Sequence, residues 1–288
     1  MQFLASTLTS VIFIFTVVNL FSLGLQVKMV EILEPLKNKK AMALIVVWSW
    51  VLGPGIAYLI SFVLPLAEPF VIGLLLSSLA PVTPFLPLTV EKARGDMNFA
   101  AALVPVVMIG TVILMPLMAP LMIQGVTVSP WSIARPLLVS VFLPLLIGIA
   151  VRHYAETVAA KIFPAVNVLS KITTVAVGVW CVVVYARPML DTVGSFAPLS
   201  VILFMVVLGW MSYQFGFGLK QSQRSVISLA MITRNGGPVL IAALAIPDGS
   251  SHILTYVVLL NVGGFVLAPI TATIFGRQAE KATAGGAA

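Results

Sequence analysis

The stretch GLLLSSLAPVTPFLPLTVE, Gly73–Glu91, is apolar and long enough to cross a membrane, yet it contains three prolines. A second stretch, SVISLAMITRNGGPVLIAALAIP at Ser225–Pro247, is interrupted by Arg234, Asn235 and the sequence Gly-Gly-Pro. Proline removes a backbone donor and disturbs the preceding turn, and irregular backbone at membrane depth is tolerated only beside protein or a water-filled cavity. The two stretches predict two membrane spans that unwind in the middle, an arrangement that marks the binding site of many secondary transporters.

The composition of the chain is that of a protein embedded in a lipid bilayer. Of its 288 residues, 60% are hydrophobic and 9% are charged, and the mean hydropathy is +1.12, whereas soluble proteins carry roughly a quarter charged residues. A net charge of +7 would suggest nucleic acid binding in a soluble protein, but these basic residues lie in short loops between apolar runs. We therefore expect an all-α polytopic membrane protein that contacts lipid and no nucleic acid.

A count of about 20 apolar residues per span predicts nine transmembrane helices, of which the third and the eighth are broken. The third and the eighth span cross in opposite directions, as inverted five-helix repeats require when the first helix of the first repeat is missing. Residues 1–277 are predicted to form one transmembrane unit, and residues 278–288 a disordered cytoplasmic tail. The predicted spans are roughly 4–27, 40–63, 69–90, 98–123, 132–151, 164–186, 197–219, 225–246 and 251–275.

The basic residues predict the orientation of the chain. Of the 16 lysines and arginines, two (Arg135 and Arg187) lie in one set of loops, Arg234 lies in neither set, and the remainder lie in the opposite set. Loops rich in lysine and arginine face the cytoplasm. We therefore expect the N-terminus outside and the C-terminus in the cytoplasm, and the short loops suit a bacterial inner membrane.

Arg234 lies near the middle of the eighth predicted span, with about ten residues on either side. An arginine at this depth costs at least ~2.5–3.5 kcal/mol on insertion scales, which argues against an arginine that merely snorkels to the interface. Two functional interpretations stay open: a built-in cation that holds the half-helices together through carbonyl oxygens, or a bidentate ligand for the acidic group of a substrate. No acidic residue lies at the same predicted depth, which favours an anionic guest.

The other polar residues of the spans have two interpretations each. Asn235 either contacts a substrate or caps the turn that follows it, and Thr83 either offers its hydroxyl to a substrate or caps its own turn. Ser49 and Asn261 either belong to the site or form interhelical hydrogen bonds, and Asn19 has the same alternatives. The candidate substrate-binding residues are Ser49, Thr83, Pro84, Thr233, Arg234, Asn235 and Asn261.

No pattern of catalytic or metal-binding residues is visible in the sequence. His153 and His252 lie about a hundred residues apart at the ends of predicted spans, and no other cluster has the spacing of a metal site. No nucleophile is paired with a base. The sequence therefore predicts no enzyme activity, no cofactor and no metal site, and it does not predict the oligomeric state.

Four segments resemble motifs of the bile acid:sodium symporter family and its bacterial relatives. The resemblance implies a core domain (about 40–123 and 197–275) in which two broken helices cross, and a panel domain (about 4–27 and 132–186). It also implies an organic anion bound between the two domains and transported by alternating access. The segments are LFSLGLQV (Leu20–Val27), APVTPFLPLTVEKARGD (Ala80–Asp96), RSVISLAMITRNGGPVLIAALA (Arg224–Ala245) and LNVGGFVLAP (Leu260–Pro269).

The sodium ligands that the resemblance implies are replaced in this chain. A hard cation needs several oxygen ligands, but most of these positions are apolar and one is an arginine. We therefore expect a carrier for a small carboxylate or sulfonate that does not couple to sodium at the usual sites, with uniport or exchange ahead of proton coupling. The alternatives are a sodium symporter with rearranged ligands, and a pore or non-transporting sensor. The ligand positions fall on Ser49, Leu86, Pro87, Ala100, Val104, Ala230 and Arg234.

Overall fold

The computed structural model of the protein describes residues 2–28, 38–123, 129–246 and 251–285. Within these ranges the chain is helical and contains no β-strand, which confirms the all-α prediction. In chain order the helices are α1 (Gln2–Gln26), α2 (Lys39–Val63), α3 (Glu68–Ser78), α4 (Leu86–Lys92), α5 (Met97–Met122), α6 (Pro130–Tyr154), α7 (Glu156–Asp191), α8 (Ala197–Gln214), α9 (Gln221–Ile232), α10 (Gly236–Leu244) and α11 (Ser251–Gly285).

Several of these helices have the length and hydropathy of membrane spans. In the described part of the chain six helices qualify, namely α2, α5, α6, α7, α8 and α11, and α1 and α3 contribute shorter apolar segments. The protein is therefore a multi-pass membrane protein, as predicted. The count of nine spans and their inverted repeat stay predictions.

Two of the long helices contain a wide π-helical turn just before a proline. The turn covers Trp48–Leu52 in α2 and Leu138–Phe142 in α6. The prolines that follow, Pro54 and Pro144, have no N–H to donate, so the hydrogen-bond ladder shifts to the next acceptor in the helix. Ser49 lies in the first of these turns, inside the protein.

Helices α1, α6 and α7 pack against one another. Gly24 of α1 and Gly148 of α6 lie so close that a Cβ added at Gly24 would be 2.8 Å from the Gly148 Cα. The Asn19 side chain accepts hydrogen bonds from Ser170 Oγ at 2.9 Å and from Thr174 Oγ1 at 3.3 Å. Small residues and interhelical hydrogen bonds are the usual means by which helices associate in lipid, and Asn19 has the interhelical role that was one of its two interpretations.

Residues 278–288 were predicted to be a disordered tail, and in the part of them that the structure describes α11 continues to Gly285. The sequence RQAEKA at Arg277–Ala282 consists of residues with high helix propensity, which extend a helix that is already formed. Glu280 also pairs with Arg94 at 2.6 Å, although both side chains are more than half exposed and the pair contributes little stability.

Candidate functional site

Both predicted breaks are present, and they contact each other. The first separates α3 from α4, and the second separates α9 from α10. Val82 donates its N–H to the carbonyl oxygens of Ala230 at 3.2 Å and Thr233 at 3.3 Å, and Asn235 donates its N–H to the Ala80 oxygen at 2.9 Å. Each break thus satisfies backbone groups of the other, as buried peptide groups require. We call this pair of unwound segments, residues 79–85 and 233–235, the crossover.

Val82 has an unusual backbone conformation at the centre of the crossover. Its φ is 70°, and its side chain is fully buried. A β-branched residue in the left-handed region costs about 1–2 kcal/mol. The hydrogen bonds of its N–H to the Ala230 and Thr233 oxygens hold it there, so the surrounding structure compensates for the strain.

A cavity of about 200 Å³ lies beside the crossover. One side consists of crossover residues and the first turn of α10, with α11 next to them, and the other side consists of α1 and α7. Most of the wall is apolar, and none of the described residues that line it is acidic. Five predicted site residues line the cavity, namely Thr83, Pro84, Arg234, Asn235 and Asn261.

The structure does not place the other two predicted residues at this cavity. Thr233 lines a smaller neighbouring cavity of about 60 Å³, and its hydroxyl donates to the Leu229 oxygen at 2.9 Å. Ser49 is buried in the π-helical turn of α2, and its Oγ has no hydrogen-bond partner. Ser49 therefore does not take the interhelical hydrogen bond that was its alternative interpretation.

The polar side chains that line the cavity differ in how they are bound. Asn235 occupies the N-cap position of α10, yet its side chain forms no capping hydrogen bond. Asn261 Nδ2 donates to the carbonyl one turn earlier at 2.8 Å, and its Oδ1 lies beside Gly236. Thr83 Oγ1 accepts from the Phe85 N–H at 3.4 Å, which is the turn-capping role that was one of its two interpretations. At the start of α10, the side-chain amide of Asn235 therefore forms no capping hydrogen bond and can bind a ligand.

Arg234 is almost completely buried, with 3% of its surface exposed. Its Nη2 donates to the Met231 oxygen at 3.0 Å and its Nη1 to the Ser78 oxygen at 3.5 Å. The guanidinium carbon lies 4.7 Å from the centre of the Phe204 ring, within the range of a cation–π contact. The ion pairs that the structure gives for the described residues do not include Arg234, and its Nε has no partner.

Sequence reasoning missed the wall of the cavity that α1 and α7 supply. Phe15, Thr174 and Cys181 line it from these helices. Cys181 is a free cysteine, and its side chain is buried. No local signal identifies these residues, because only the packing of α1 and α7 against α10 and α11 brings them to the crossover.

Most of the positions that the resemblance assigned to sodium offer no side-chain oxygen to the ion. Leu86, Ala100, Val104 and Ala230 are buried hydrophobic residues without side-chain oxygens. Throughout the described ranges no group of three or more histidine, cysteine, aspartate or glutamate residues is arranged to hold a metal ion. The residues present therefore do not fit the sodium sites that the resemblance implied.

Comparison with known proteins agrees with this geometry. The family model described as the sodium bile acid symporter family matches residues 12–194, which is more than half of the chain and includes the first break. A search among curated proteins found no match. The protein belongs to the sodium bile acid symporter family.

Proposed function

We propose that this member of a transporter family carries a small organic anion with an apolar body across the membrane by alternating access. The observation that carries the proposal is the cavity between the crossover and helices α1 and α7. Its volume of about 200 Å³ is below the roughly 300–1,000 Å³ of sites for drug-sized ligands. The substrate is therefore a compact molecule, with a carboxylate or a sulfonate as its acidic group.

The polar end of the cavity favours an anion over a cation. Helix α10 begins there at Gly236, after its N-cap Asn235. The first turn of a helix has free N–H groups and a partial positive charge. The amides of Asn235 and Asn261 lie at the same end, and the described lining includes no carboxylate to bind a cation. The aliphatic and aromatic wall, which includes Val177, Val258 and Phe265, would hold the apolar body of the substrate.

We further propose that transport does not depend on sodium at the sites usual for the family. The apolar side chains at Leu86, Ala100, Val104 and Ala230 cannot ligate the ion. Uniport or exchange of anions accounts for transport without a coupling ion. A sodium symporter with other ligands, and a pore or sensor that reuses the fold, are the competing functions that the experiments below separate.

The transport cycle that we propose moves a core against a panel. The panel comprises α1, α6 and α7, which pack together around Gly24 and Gly148. The core comprises the remaining helices, with the crossover at its centre, and the cavity lies where the two meet. In this arrangement the N-terminus is outside, the C-terminus is in the cytoplasm, and the membrane is a bacterial inner membrane.

Two glycines provide a matched test of the cavity. Gly178 lines the cavity and Gly55 does not, and a Cβ at either position would have no atom within 4 Å. Leucine at Gly178 would place its side chain in the proposed substrate space, whereas leucine at Gly55 would extend into open surroundings. Because a Cβ meets no atom at either position, we expect both variants to keep a melting temperature close to that of the parent protein.

The measurement is the melting temperature of the purified protein against a panel of small carboxylates and sulfonates. A ligand that binds the folded state raises this temperature. We expect at least one anion to stabilise the parent protein and Gly55→Leu, and to leave Gly178→Leu unchanged. Equal stabilisation of both variants would contradict the assignment of the cavity as the substrate site.

A further inference from the structure

The backbone bonds of the crossover leave two carbonyl oxygens without their usual helical donors. The donor for Ser78 O would be the N–H of Val82, but that group donates to α9, and Pro81 has no N–H. The donor for Met231 O would be the N–H of Asn235, but that group donates to Ala80. The hydrogen bonds that join the two breaks therefore leave one carbonyl oxygen at the end of each half-helix without its usual N–H donor.

Both carbonyl groups lie at the C-terminal ends of helices, and both are within reach of one side chain, Arg234. Ser78 is the last residue of α3, and Met231 is in the last turn of α9. The C-terminus of a helix carries a partial negative charge of roughly half an electron. Buried carbonyl oxygens require hydrogen-bond donors, and a positive charge is favourable beside the negative ends of two helices.

Arg234 supplies both from a single side chain. Its Nη1 donates to Ser78 O and its Nη2 to Met231 O, while the ring of Phe204 contacts the guanidinium. Both terminal nitrogens of the guanidinium group therefore donate hydrogen bonds to carbonyl oxygens of the protein. The side-chain amide of Asn235, which forms no capping hydrogen bond, remains at the cavity for the substrate.

We propose that Arg234 is a positioning residue, a tethered cation that holds the C-terminal ends of α3 and α9 together and makes the crossover independent of any dissolved cation. This inference rests on the proposed function only in that the crossover shapes the substrate cavity. It separates the two interpretations of Arg234, because the side chain binds the protein and does not bind the transported anion. Removing the side chain should leave a cation site between the two carbonyl oxygens.

The first experiment compares stability with and without a soluble replacement for the side chain. Arg234→Ala should lower the melting temperature by about 5 °C or more, because it leaves buried acceptors unpaired. Methylguanidinium chloride at low millimolar concentration should restore about half of the loss, since it binds the folded variant alone. Choline chloride at the same concentration should restore nothing, and the parent protein should respond to neither salt.

Arg224 offers a matched control within the same chain. Its Nε donates to the Tyr213 oxygen at 2.7 Å and its guanidinium lies 4.6 Å from the Tyr213 ring, so its contacts are of the same kinds. Arg224 is only partly buried, however, and water can replace it at the carbonyl oxygens. Arg224→Ala should therefore show a smaller loss and no rescue by methylguanidinium. Rescue of both variants, or of neither, would overturn the proposal.

A second pair of variants applies if Arg234→Ala does not fold. Lysine and methionine have similar lengths at position 234 but differ in charge, so Arg234→Lys should accumulate in the membrane and melt higher than Arg234→Met. Equal behaviour would show that packing suffices and would overturn the proposal. Neither readout uses a substrate, so their failure is distinguishable from a failure of the anion-binding test with Gly178→Leu.

Discussion

Replacing Asn235 should weaken anion binding strongly while it changes the stability of the protein only slightly. Its side chain lines the cavity at the N-cap of α10 but forms no capping hydrogen bond, while its backbone N–H donates to Ala80. Asn235→Ala keeps the backbone bond and removes only the amide group. A hydrogen bond to a charged group is worth about 1.5–3 kcal/mol, so the dissociation constant for the anion should rise by about 10- to 100-fold. In the absence of ligand, the melting temperature of Asn235→Ala should fall by less than it would after the loss of a hydrogen-bonded N-cap residue.

Asn38 is the control with which the stability and the anion affinity of Asn235→Ala are compared. Its Oδ1 accepts from the Ala41 N–H at 3.1 Å at the start of α2, so it is a working N-cap away from the cavity. Asn38→Ala should cost about 1 kcal/mol of stability and leave anion affinity unchanged. Anion affinity is measured by isothermal titration calorimetry and stability by thermal unfolding. If Asn235→Ala lost stability like Asn38→Ala and kept its anion affinity, Asn235 would be a structural cap and the reasoning would be refuted.

Two further predictions concern the panel side of the cavity. Cys181, the single cysteine of the chain, lines the cavity. A saturating substrate anion should therefore slow the alkylation of Cys181 by a small maleimide, as measured by mass spectrometry. An unchanged rate of labelling would place the anion elsewhere. Gly24→Ala should lower the melting temperature by several degrees, because its Cβ would lie 2.5 Å from the Leu145 carbonyl oxygen and overpacking costs about 1–3 kcal/mol. Gly55→Ala, with no atom within 4 Å, is its control, and an equal effect of the two changes would contradict this account of the α1–α6 contact.

The breaks in the two crossing helices could be predicted from the sequence because proline and glycine act locally. Three prolines within the seven residues after Ala80 and the sequence Gly236-Gly237-Pro238 disfavour a continuous helix at these two places, although α5 remains one helix with Pro105, Pro116 and Pro120 inside it. The way in which the breaks pair could not be predicted. Val82 adopts a φ of 70°, which a β-branched residue disfavours, and only the hydrogen bonds to α9 select that conformation.

The importance of Arg234 was visible from its depth in an apolar span, but its contacts were not. Its partner Ser78 is 156 residues away along the chain, and the carbonyl group of Ser78 becomes available only because the crossover diverts Val82. Asn235 and Thr83 each had two interpretations that spacing alone could not separate. Hydrogen-bond geometry assigns Thr83 to its own turn and leaves Asn235 uncapped.

Ser49 shows where a position inferred by resemblance departs from the structure. The resemblance placed it at a sodium-ligand position, but in the structure it is buried in the π-helical turn before Pro54, away from the described cavities. The π turn precedes Pro54, and Trp50 within it packs against Gly110 of α5. Local propensity does not predict such a turn, because it arises from the combination of a missing donor and tertiary packing.

The most direct test of the central claim is uptake of a stabilising anion into proteoliposomes, with choline or sodium as the external cation. A carrier built around the cavity, with Arg234 as its fixed cation, predicts saturable uptake at the same rate in both cations. Gly178→Leu should abolish that uptake, and Gly55→Leu should retain it. Uptake that appears only with sodium would contradict the account and favour a sodium symporter with rearranged ligands.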